Sequence, residues 1–182
     1  MKKLILSLVL SISFTTLFAQ QYQLNIGQSQ LHWKGYGEVG GFSQEGSITP
    51  KRGQIQMEEE ELKNASLVID MKSIKNEDKS LTKHLKNKDF FYVKKYPEAN
   101  LEMITFCDGM MQANLTIRGI TKAIECPVEI MASKGKVKVK GKVTIDRTQF
   151  DIKYNSSSYF QDLGNYAIKN DFDLSFELYF ER

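Results

Sequence analysis

Apolar and polar residues alternate with a period of two along most of the chain. The clearest stretches are KVKVKGKVTID at residues 136–146 and DFDLSFELYF at residues 171–180. Alternation of this kind is typical of a strand with one apolar face. Weaker alternation predicts further strands at 22–26, 31–36, 47–57, 65–71, 101–106, 113–118, 123–131 and 150–154. The pattern indicates an antiparallel, β-rich domain of about eight strands, either a barrel or a sandwich.

One long connection, Lys72 to Glu98, interrupts this pattern with helix signals. Asp78 and Ser80 are candidate N-caps, and Leu81 and Leu85 are spaced i and i+4 on one helix face. Antiparallel neighbours need only short hairpins. A connection of about 27 residues that also carries Phe90, Phe91 and Tyr92 is therefore expected to fold onto an apolar surface. The open end of a barrel is the natural position for it.

The N-terminus predicts export. Lys2 and Lys3 precede an uncharged, largely apolar run that ends at Ala19. This run is typical of a cleavable secretory signal peptide, and it is shorter than the roughly 20 residues that span a bilayer. We therefore expect residues 1–19 to be a signal peptide, residues 20–182 to form one barrel domain, and the protein to be periplasmic or secreted.

Charge gives no reason to expect a nucleic-acid partner. Removing Lys2 and Lys3 would take the formal net charge from +3 to +1. Locally, an acidic run covers 58–61, and five lysines recur on one side of a predicted strand, at Lys134, Lys136, Lys138, Lys140 and Lys142. We interpret this lysine ladder as a solvated face that discourages edge pairing, with transient contact to an anionic membrane surface as the alternative.

The two cysteines, Cys107 and Cys126, are expected to be free thiols. Export would permit a disulfide. If residues 99–107, 111–118 and 123–131 form a meander, however, the two lie two strands and about four residues apart, roughly 16 Å at ~4.8 Å per strand and ~3.3 Å per residue. Bridged Cα atoms lie within about 7 Å of each other.

Candidates for catalysis or metal binding are few. Neither His32 nor His84 has a metal-type spacing, so no metal site is expected. GFSQEG around Ser43 lacks the second glycine of a nucleophile elbow. Asp70 and Asp146 end predicted strands and could act as acid and base only if the fold brought them together. We expect no catalytic residues.

Several longer motifs resemble a known family. LHWKGYG, LVIDMKSI, LTKHLKNKDFFYVKKYPEANLEM, ANLTIRGITKAIECPV, VTIDRTQFDIKY and AIKNDFDLSFEL follow one another in the order and spacing of the YceI-like family, the polyisoprenoid-binding, lipocalin-like YceI domain. The C-terminal part is similar to exported members from Bacteroidetes-type bacteria. One departure is Glu45, because many relatives carry a histidine before the glycine that corresponds to Gly46.

The resemblance implies an all-β fold with one short helical insertion, an eight-stranded antiparallel lipocalin-like barrel. It also implies an apolar lumen that holds an isoprenoid, such as a polyprenyl quinone, or another fatty amphiphile without a covalent cofactor. Apolar members of the strands and the helical connection are the candidate ligand-binding residues: Trp33, Ile69, Leu81, Leu85, Phe90, Phe91, Leu115, Ile117, Phe150, Phe176 and Leu178. Small barrels are often filled by their own side chains, so these residues could instead be ordinary core.

Three functions follow from these observations. The leading hypothesis is a binding or carrier protein for an isoprenoid or other hydrophobic small molecule, as a monomer or homodimer. The second is an enzyme that acts on a lipid held in the lumen, with His84, Asp70 or Asp146 as acid or base. The third is a stress-related interaction module in which a filled barrel presents a surface to a protein.

Overall fold

The structure, a computed structural model, describes residues 19–59 and 61–182. The predicted signal peptide therefore lies outside the described residues except for Ala19. The strands are β1 (Gln20–Leu24), β2 (Gln30–Gly37), β3 (Ser43–Glu58), β4 (Glu61–Lys75), β5 (Glu98–Cys107), β6 (Met110–Ile117), β7 (Ile120–Ser133), β8 (Lys136–Asp146) and β9 (Ile168–Glu181). The helices are α1 (Lys79–Leu85) and two 3₁₀ helices, Arg147–Phe150 and Gly164–Tyr166.

The strands close into an antiparallel barrel. Neighbours follow the order β3-β2-β9-β8-β7-β6-β5-β4, and β4 pairs back onto β3. The short strand β1 pairs with the distal parts of β3 and β9, so it continues the barrel position of β2. The predicted eight-stranded barrel with one short helical insertion is confirmed. Within the described residues, no helix is long and apolar enough to cross a membrane.

Alternation along the strands places the apolar side chains inside the barrel. In β8, Val137, Val139, Val143 and Ile145 are buried. On the outer face of the same strand, Lys138 pairs with Glu177 at 2.8 Å and Lys142 pairs with Asp173 at 2.8 Å. The lysine ladder is thus a partly paired outer face. Because β8 has strands on both sides, the ladder does not protect an edge.

The prediction of a strand at Phe150–Tyr154 is wrong. Arg147–Phe150 form a 3₁₀ helix instead, and Asp151 ends it with a left-handed backbone at φ 60°. The carboxylate of Asp146 accepts hydrogen bonds from the backbone N–H and the hydroxyl of Thr148, at 2.8 and 2.7 Å. Such local capping by Asp competes directly with strand pairing, and here it outweighs the weak alternation.

The ladder between β7 and β8 is incomplete. Pairing runs from Ser133 and Lys136 to Val128 and Gly141, and it ends there. Val128 donates its N–H to Gly109 of the neighbouring β6 side at 2.8 Å, so the backbone of the preceding Pro127 faces β8. Proline has no N–H to donate, which explains why the ladder ends at this point.

The two ends of the barrel have different connections. At the far end, two-residue turns join β5 to β6 through Asp108–Gly109 and β7 to β8 through Lys134–Gly135, all four residues having positive φ. At the near end lie the longer connections 38–42, 76–97 and 147–167, with the tight turn 118–119 beside them. Only the near end therefore has enough chain to build a cover.

Candidate ligand-binding lumen

The barrel interior contains two apolar cavities that share a wall. The near chamber, of about 140 Å³, lies beneath α1 and the near-end connections. The deep chamber, of about 60 Å³, lies toward the far end. The shared wall consists of four apolar residues that line both cavities, Ile69, Leu115, Ile145 and Leu174. The two cavities are therefore adjacent inside one barrel, and these four residues separate them.

Side chains do not fill the lumen completely. Phe172, Leu174 and Phe176 alternate with polar residues on β9 and pack against the core, yet all three are only partly buried. Their neighbours farther along the strand, Leu178 and Phe180, are 5% and 3% exposed. Partial exposure of inward-facing residues is what an unfilled interior produces, because side chains in a dense core leave few voids larger than a water molecule.

The helix α1 covers the near chamber as its sequence predicts. The side chain of Asp78 accepts the N–H of Ser80 at 2.7 Å and caps the helix. Leu81 and Leu85 both line the chamber from the same helix face. Asn76 anchors the start of this connection by donating to the backbone oxygen of Glu45 at 2.6 Å. The cover is thus tied to the rim of β3.

The residues after α1 add an aromatic wall. Phe91 donates its N–H to the Leu85 carbonyl at 3.1 Å, which turns the chain back over the helix end. Phe90 is buried, and its ring lies 5.6 Å from Tyr154 and 5.4 Å from His84. Phe90 and Phe91 both line the near chamber. The sequence KHLKNKDFFYVKK therefore builds the cover and one side of the cavity.

Two glycines shape the opposite wall. A Cβ at Gly46 would lie 2.0 Å from the Lys75 carbonyl oxygen and 2.8 Å from the Trp33 ring, so glycine is required for the ring to pack there. At Gly35, two residues along β2 from Trp33, a Cβ would meet no atom within 4 Å. Gly35 also lines the near chamber. The missing side chain at Gly35 thus leaves open space in the wall.

A buried arginine closes the side of the near chamber. Arg147 is 3% exposed and donates to the backbone oxygens of Lys169 (3.0 Å), Ile152 (2.8 Å) and Ile168 (2.9 Å). Its guanidinium carbon lies 5.8 Å from the centre of the Phe90 ring. Burial lowers the pKa of this guanidinium, and nearby carboxylates oppose that effect. All three of its nitrogens are bonded to the backbone, so Arg147 ties the 3₁₀ helix to the start of β9.

The structure brings ten of the eleven candidate ligand-binding residues to the cavity walls. Trp33, Leu81, Leu85, Phe90, Phe91 and Ile117 line the near chamber, Phe176 and Leu178 the deep chamber, and Ile69 and Leu115 both. Phe150 lines neither chamber. It is 1% exposed and packs in the core as the last residue of the 3₁₀ helix, because the strand predicted to carry it does not form. Ligand contact by the other ten remains a prediction.

Sequence reasoning missed other wall residues. Phe172 and Leu174 line the near chamber and belong to the same alternating stretch as Phe176, so the existing signal could have found them. Phe42 also lines this chamber, although it is 45% exposed. No periodicity marks Phe42, because it lies in the short connection between β2 and β3.

The candidate acid and base residues serve local structure. Asp70 accepts the backbone N–H of Lys72 at 2.9 Å, and Asp146 caps the 3₁₀ helix. His84 packs edge-on against Tyr154 at 4.5 Å, and its Nε2 is buried without a hydrogen-bond partner in the described part of the chain. None of these three residues lines either chamber. Residues 19–59 and 61–182 also contain no group of three His, Cys, Asp or Glu residues that could hold a metal ion.

The two thiols are free, as predicted. Cys107 is exposed at the far end, and Cys126 is buried on the wall of the deep chamber. The predicted meander of β5, β6 and β7 separates them by two strands, but the predicted offset of about four residues is wrong: Cys107 pairs with Met110 and Met110 with Pro127, so the offset is one residue. Burial raises the pKa of the Cys126 thiol to about 11.

Comparisons with known proteins agree with this architecture. The sequence model of one family, described as the YceI-like domain, matches residues 22–180. No curated protein sequence matches the chain. A solved structure of Burkholderia cenocepacia BcnA is 18% identical, with a TM-score of 0.69 over 86% of this chain and 98% of that one.

Two further solved structures share the fold. A polyisoprenoid binding domain from Saccharophagus degradans, implicated in plant cell wall breakdown, is 14% identical, with a TM-score of 0.68 over 88% of this chain and 97% of its own. A Campylobacter jejuni YCEI protein is 25% identical, with a TM-score of 0.57 over 67% of this chain and 74% of its own.

Proposed function

Because the chain belongs to the YceI-like domain family, we propose that it is a binding or carrier protein for the hydrocarbon chain of an isoprenoid or similar amphiphile. The observation that carries the proposal is the unfilled apolar interior, in which two cavities of about 140 and 60 Å³ share one wall. The Saccharophagus degradans relative is described as a polyisoprenoid binding domain, which supports the same class of ligand.

Hydrophobic burial alone is sufficient for tight binding. Each buried CH₂ contributes about 0.8 kcal/mol, so a five-carbon prenyl unit contributes about 4 kcal/mol before costs. Three or four units would offset association costs of roughly 4 to 15 kcal/mol, and a chain of that length requires the lumen to widen beyond its two cavities of about 140 and 60 Å³. Hydrophobic burial stabilises any hydrocarbon chain of similar length equally well, so the shape of the lumen has to select the ligand.

The chamber sizes favour a chain that enters from the near end. An apolar cavity of about 150 Å³ can hold one benzene molecule in another protein. The near chamber, at about 140 Å³, therefore suits roughly one five- or six-carbon group, and a longer chain must pass the shared wall into the deep chamber. Leu174 is half-buried, whereas the other three residues of that wall are buried, so the Leu174 side chain is the one most able to move aside for a ligand.

The polar group of the ligand belongs at the near-end opening. Gln44, Lys169 and Asp171 line the near chamber, whereas none of the described residues that line the deep chamber is charged. Lys169 and Asp171 are exposed at the start of β9. A head group among these residues keeps its hydration while the hydrocarbon chain is buried, which avoids the cost of burying a polar group without a partner.

We further propose that the protein acts without catalysis and outside the cytoplasm. Asp70 and Asp146 are engaged in local hydrogen bonds and lie off the cavity walls, which supports binding alone. The apolar run that ends at Ala19 supports export through a signal peptide. Mass measurement of the protein recovered from its native host tests removal of residues 1–19.

A cavity-blocking variant tests the lumen directly. Gly35→Leu places a side chain into open space in the near chamber, whereas Lys34→Leu adds the same side chain one residue away on the outer face. Protein purified without delipidation is examined by native mass spectrometry, and bound lipid is extracted with solvent. We expect wild type and Lys34→Leu to carry an extractable lipid and Gly35→Leu to lose it. Equal lipid content in both variants would contradict the proposal.

A further inference from the structure

Exposed apolar side chains are concentrated around the near-end opening. Nine large hydrophobic residues in the described chain are at least 40% exposed, and five of them lie in two near-end connections. We call these five the apolar rim: Val39, Phe42, Tyr159, Phe160 and Tyr166, with exposures from 45% to 78%. Such a concentration on one end marks an interaction surface, because singly scattered apolar residues are ordinary on protein surfaces.

Hydrogen bonds hold the two connections of the apolar rim side by side. Glu38 donates its backbone N–H to the Ala167 carbonyl at 3.0 Å, and its carboxylate accepts the Ser157 hydroxyl at 2.6 Å. Within the second connection, the side chain of Asn155 donates to the Tyr166 carbonyl at 3.0 Å. Phe42 of the rim also lines the near chamber. The rim is therefore a fixed border of the cavity opening.

The connection on the other side of the opening is basic. Residues 76–97, which we call the basic cap, contain six lysines and three carboxylates. Leu81 and Phe91 of the basic cap line the near chamber together with Phe42. Lys153 lies next to the apolar rim, with its ammonium 4.9 Å from the Tyr159 ring centre and 3.0 Å from the Asp151 carboxylate, with which it forms an ion pair. By contrast, the far end carries charges of both signs, with Glu58 and Glu59 close to Lys134 and Arg182.

We propose that the near end docks on an anionic phospholipid bilayer, with the apolar rim in the interfacial layer and the basic cap over the head groups. Tyr and Phe side chains are suited to the membrane interface, and lysines are attracted to anionic lipid surfaces. The far end, with its two-residue turns, then points away from the membrane. The inference rests on the proposed function, since the docked orientation places the cavity opening against the source of the lipid.

Vesicle binding of matched variants tests the apolar rim. The rim variant carries Tyr159→Ser, Phe160→Ser and Tyr166→Ser, and its control carries Ile104→Ser, Met110→Ser and Met131→Ser, which are exposed apolar residues outside the rim. Residues 20–182 are used, because they contain every described strand. In co-sedimentation with vesicles of phosphatidylglycerol and phosphatidylcholine, we expect at least about tenfold weaker binding of the rim variant and wild-type binding of the control.

A second pair of variants tests charge. The cap variant carries Lys83→Glu, Lys88→Glu and Lys94→Glu, and its control carries Lys134→Glu, Lys136→Glu and Lys140→Glu on the lysine ladder; all six lysines are exposed. We expect the cap variant to bind at least about tenfold more weakly and the ladder variant to bind like wild type. Binding should also fall with added salt, and it should be weak on vesicles of phosphatidylcholine alone.

The outcomes separate docking from lumen binding. Lack of vesicle binding by wild type overturns the docking proposal and leaves the rim to a protein partner. Equal losses in test and control variants overturn it as well, and a loss only in the ladder variant assigns docking to the outer face of β8. Gly35→Leu should bind vesicles like wild type. If wild type carries no lipid while the rim and cap variants still lose binding, docking stands and the lumen proposal fails.

Discussion

The near and far ends of the barrel differ in how the chain turns between strands. At the far end, the connections Asp108–Gly109 and Lys134–Gly135 are two residues long and adopt the left-handed backbone of tight hairpins. At the near end, 76–97 and 147–167 are long enough to carry a helix, a buried arginine and the aromatic wall. The far end thus contributes closure and stability, while the near end contributes the opening, its cover and the proposed contacts with lipid.

The largest effect is expected at the tightest contact of the near end. Gly46→Ala places a Cβ 2.0 Å from the Lys75 carbonyl oxygen, so β3 and β4 must move apart. We expect the free energy of unfolding to fall by about 3 kcal/mol or more. Gly35→Ala, where the added methyl meets no atom within 4 Å, should change it by less than about 0.5 kcal/mol. Urea titration of both variants provides the measurement, and similar losses would show that the wall is not shaped as described.

Strain in a far-end turn should affect stability alone. Gly109→Val forces a β-branched residue to φ +76°, although its Cβ would meet only ordinary contacts. We expect a loss of about 1–2 kcal/mol in urea titration, with a smaller loss for Gly109→Asn because asparagine tolerates this conformation. Lipid content per protein, measured by solvent extraction, should not change. A drop in lipid content under the conditions used for wild type would contradict the separate roles of the two ends.

A substitution in the cover should affect the retention of lipid more than the stability of the fold. Leu81→Ser removes an apolar contact from α1 at the near chamber, where Leu81 is only half-buried. We expect about 1 kcal/mol lower stability and a several-fold faster loss of bound lipid to acceptor vesicles. Ser80→Ala, at an exposed position of the same helix, serves as the control. Unchanged lipid release in Leu81→Ser would mean that the cover does not retain the ligand.

Low pH should weaken the ion pair and hydrogen bonds of Asp173, on the outer wall near the opening. Burial opposes ionisation of Asp173, but hydrogen bonds from Lys142, Tyr36 and Thr144, at 2.7–2.8 Å, outweigh it and lower the pKa of Asp173 to about 2. A carboxylate with a lowered pKa stabilises the fold above its unfolded pKa of about 3.9, and that stabilisation is lost as the pH falls toward 2.

Asp173→Asn should therefore cost about 1 kcal/mol at pH 7, since an ion pair with an exposed lysine rarely contributes more, and almost nothing at pH 2. Thermal unfolding across this pH range, with Asp162→Asn as an exposed control, measures the difference. A cost that did not change with pH would show that shape, and not charge, is what Asp173 contributes.

The smallest effect is a difference in thiol reactivity. Cys107 is exposed at the far end, and a hydrogen bond to Asp108 raises the pKa of its thiol. Cys126 lies on the deep-chamber wall with a pKa of about 11. At pH 8, a disulfide reagent should modify one thiol per folded molecule and the second only in urea. Cys107→Ser should abolish the fast reaction, and rapid modification of two thiols would indicate that the deep chamber is open to solvent.

Periodicity in the sequence was sufficient to predict most of the fold. Alternation placed Val137 to Ile145 and Phe172 to Phe180 on strands, and capping by Asp78 with Leu81 and Leu85 placed the helix. It failed at Phe150–Tyr154, where the Asp146 carboxylate stabilises a turn that local alternation does not reveal. Side-chain capping is decided by backbone geometry, which a period-two pattern does not contain.

The candidate site was less predictable than the fold. Alternation identifies inward-facing residues such as Leu115, but it does not show whether those residues meet or leave a cavity between them. That depends on how many strands close the barrel and on small residues such as Gly35. The position of Phe42 at the cavity could not be predicted for a different reason. It depends on the contact between the connections 38–42 and 147–167, which are distant in sequence.

The break in pairing at Pro127 gives the barrel a longitudinal seam. Along it, Ile120–Pro127 and Lys142–Asp146 can separate without rupturing any β7–β8 ladder hydrogen bond, since the ladder ends at Val128 and Gly141. Ile145 from one margin lines both chambers, and Ile124 and Cys126 from the other line the deep one. Widening at this seam would enlarge the barrel circumference at the level of the shared wall. The same barrel could then admit hydrocarbon chains of different thickness, while the two-residue turns at the far end keep the strand pairing there unchanged.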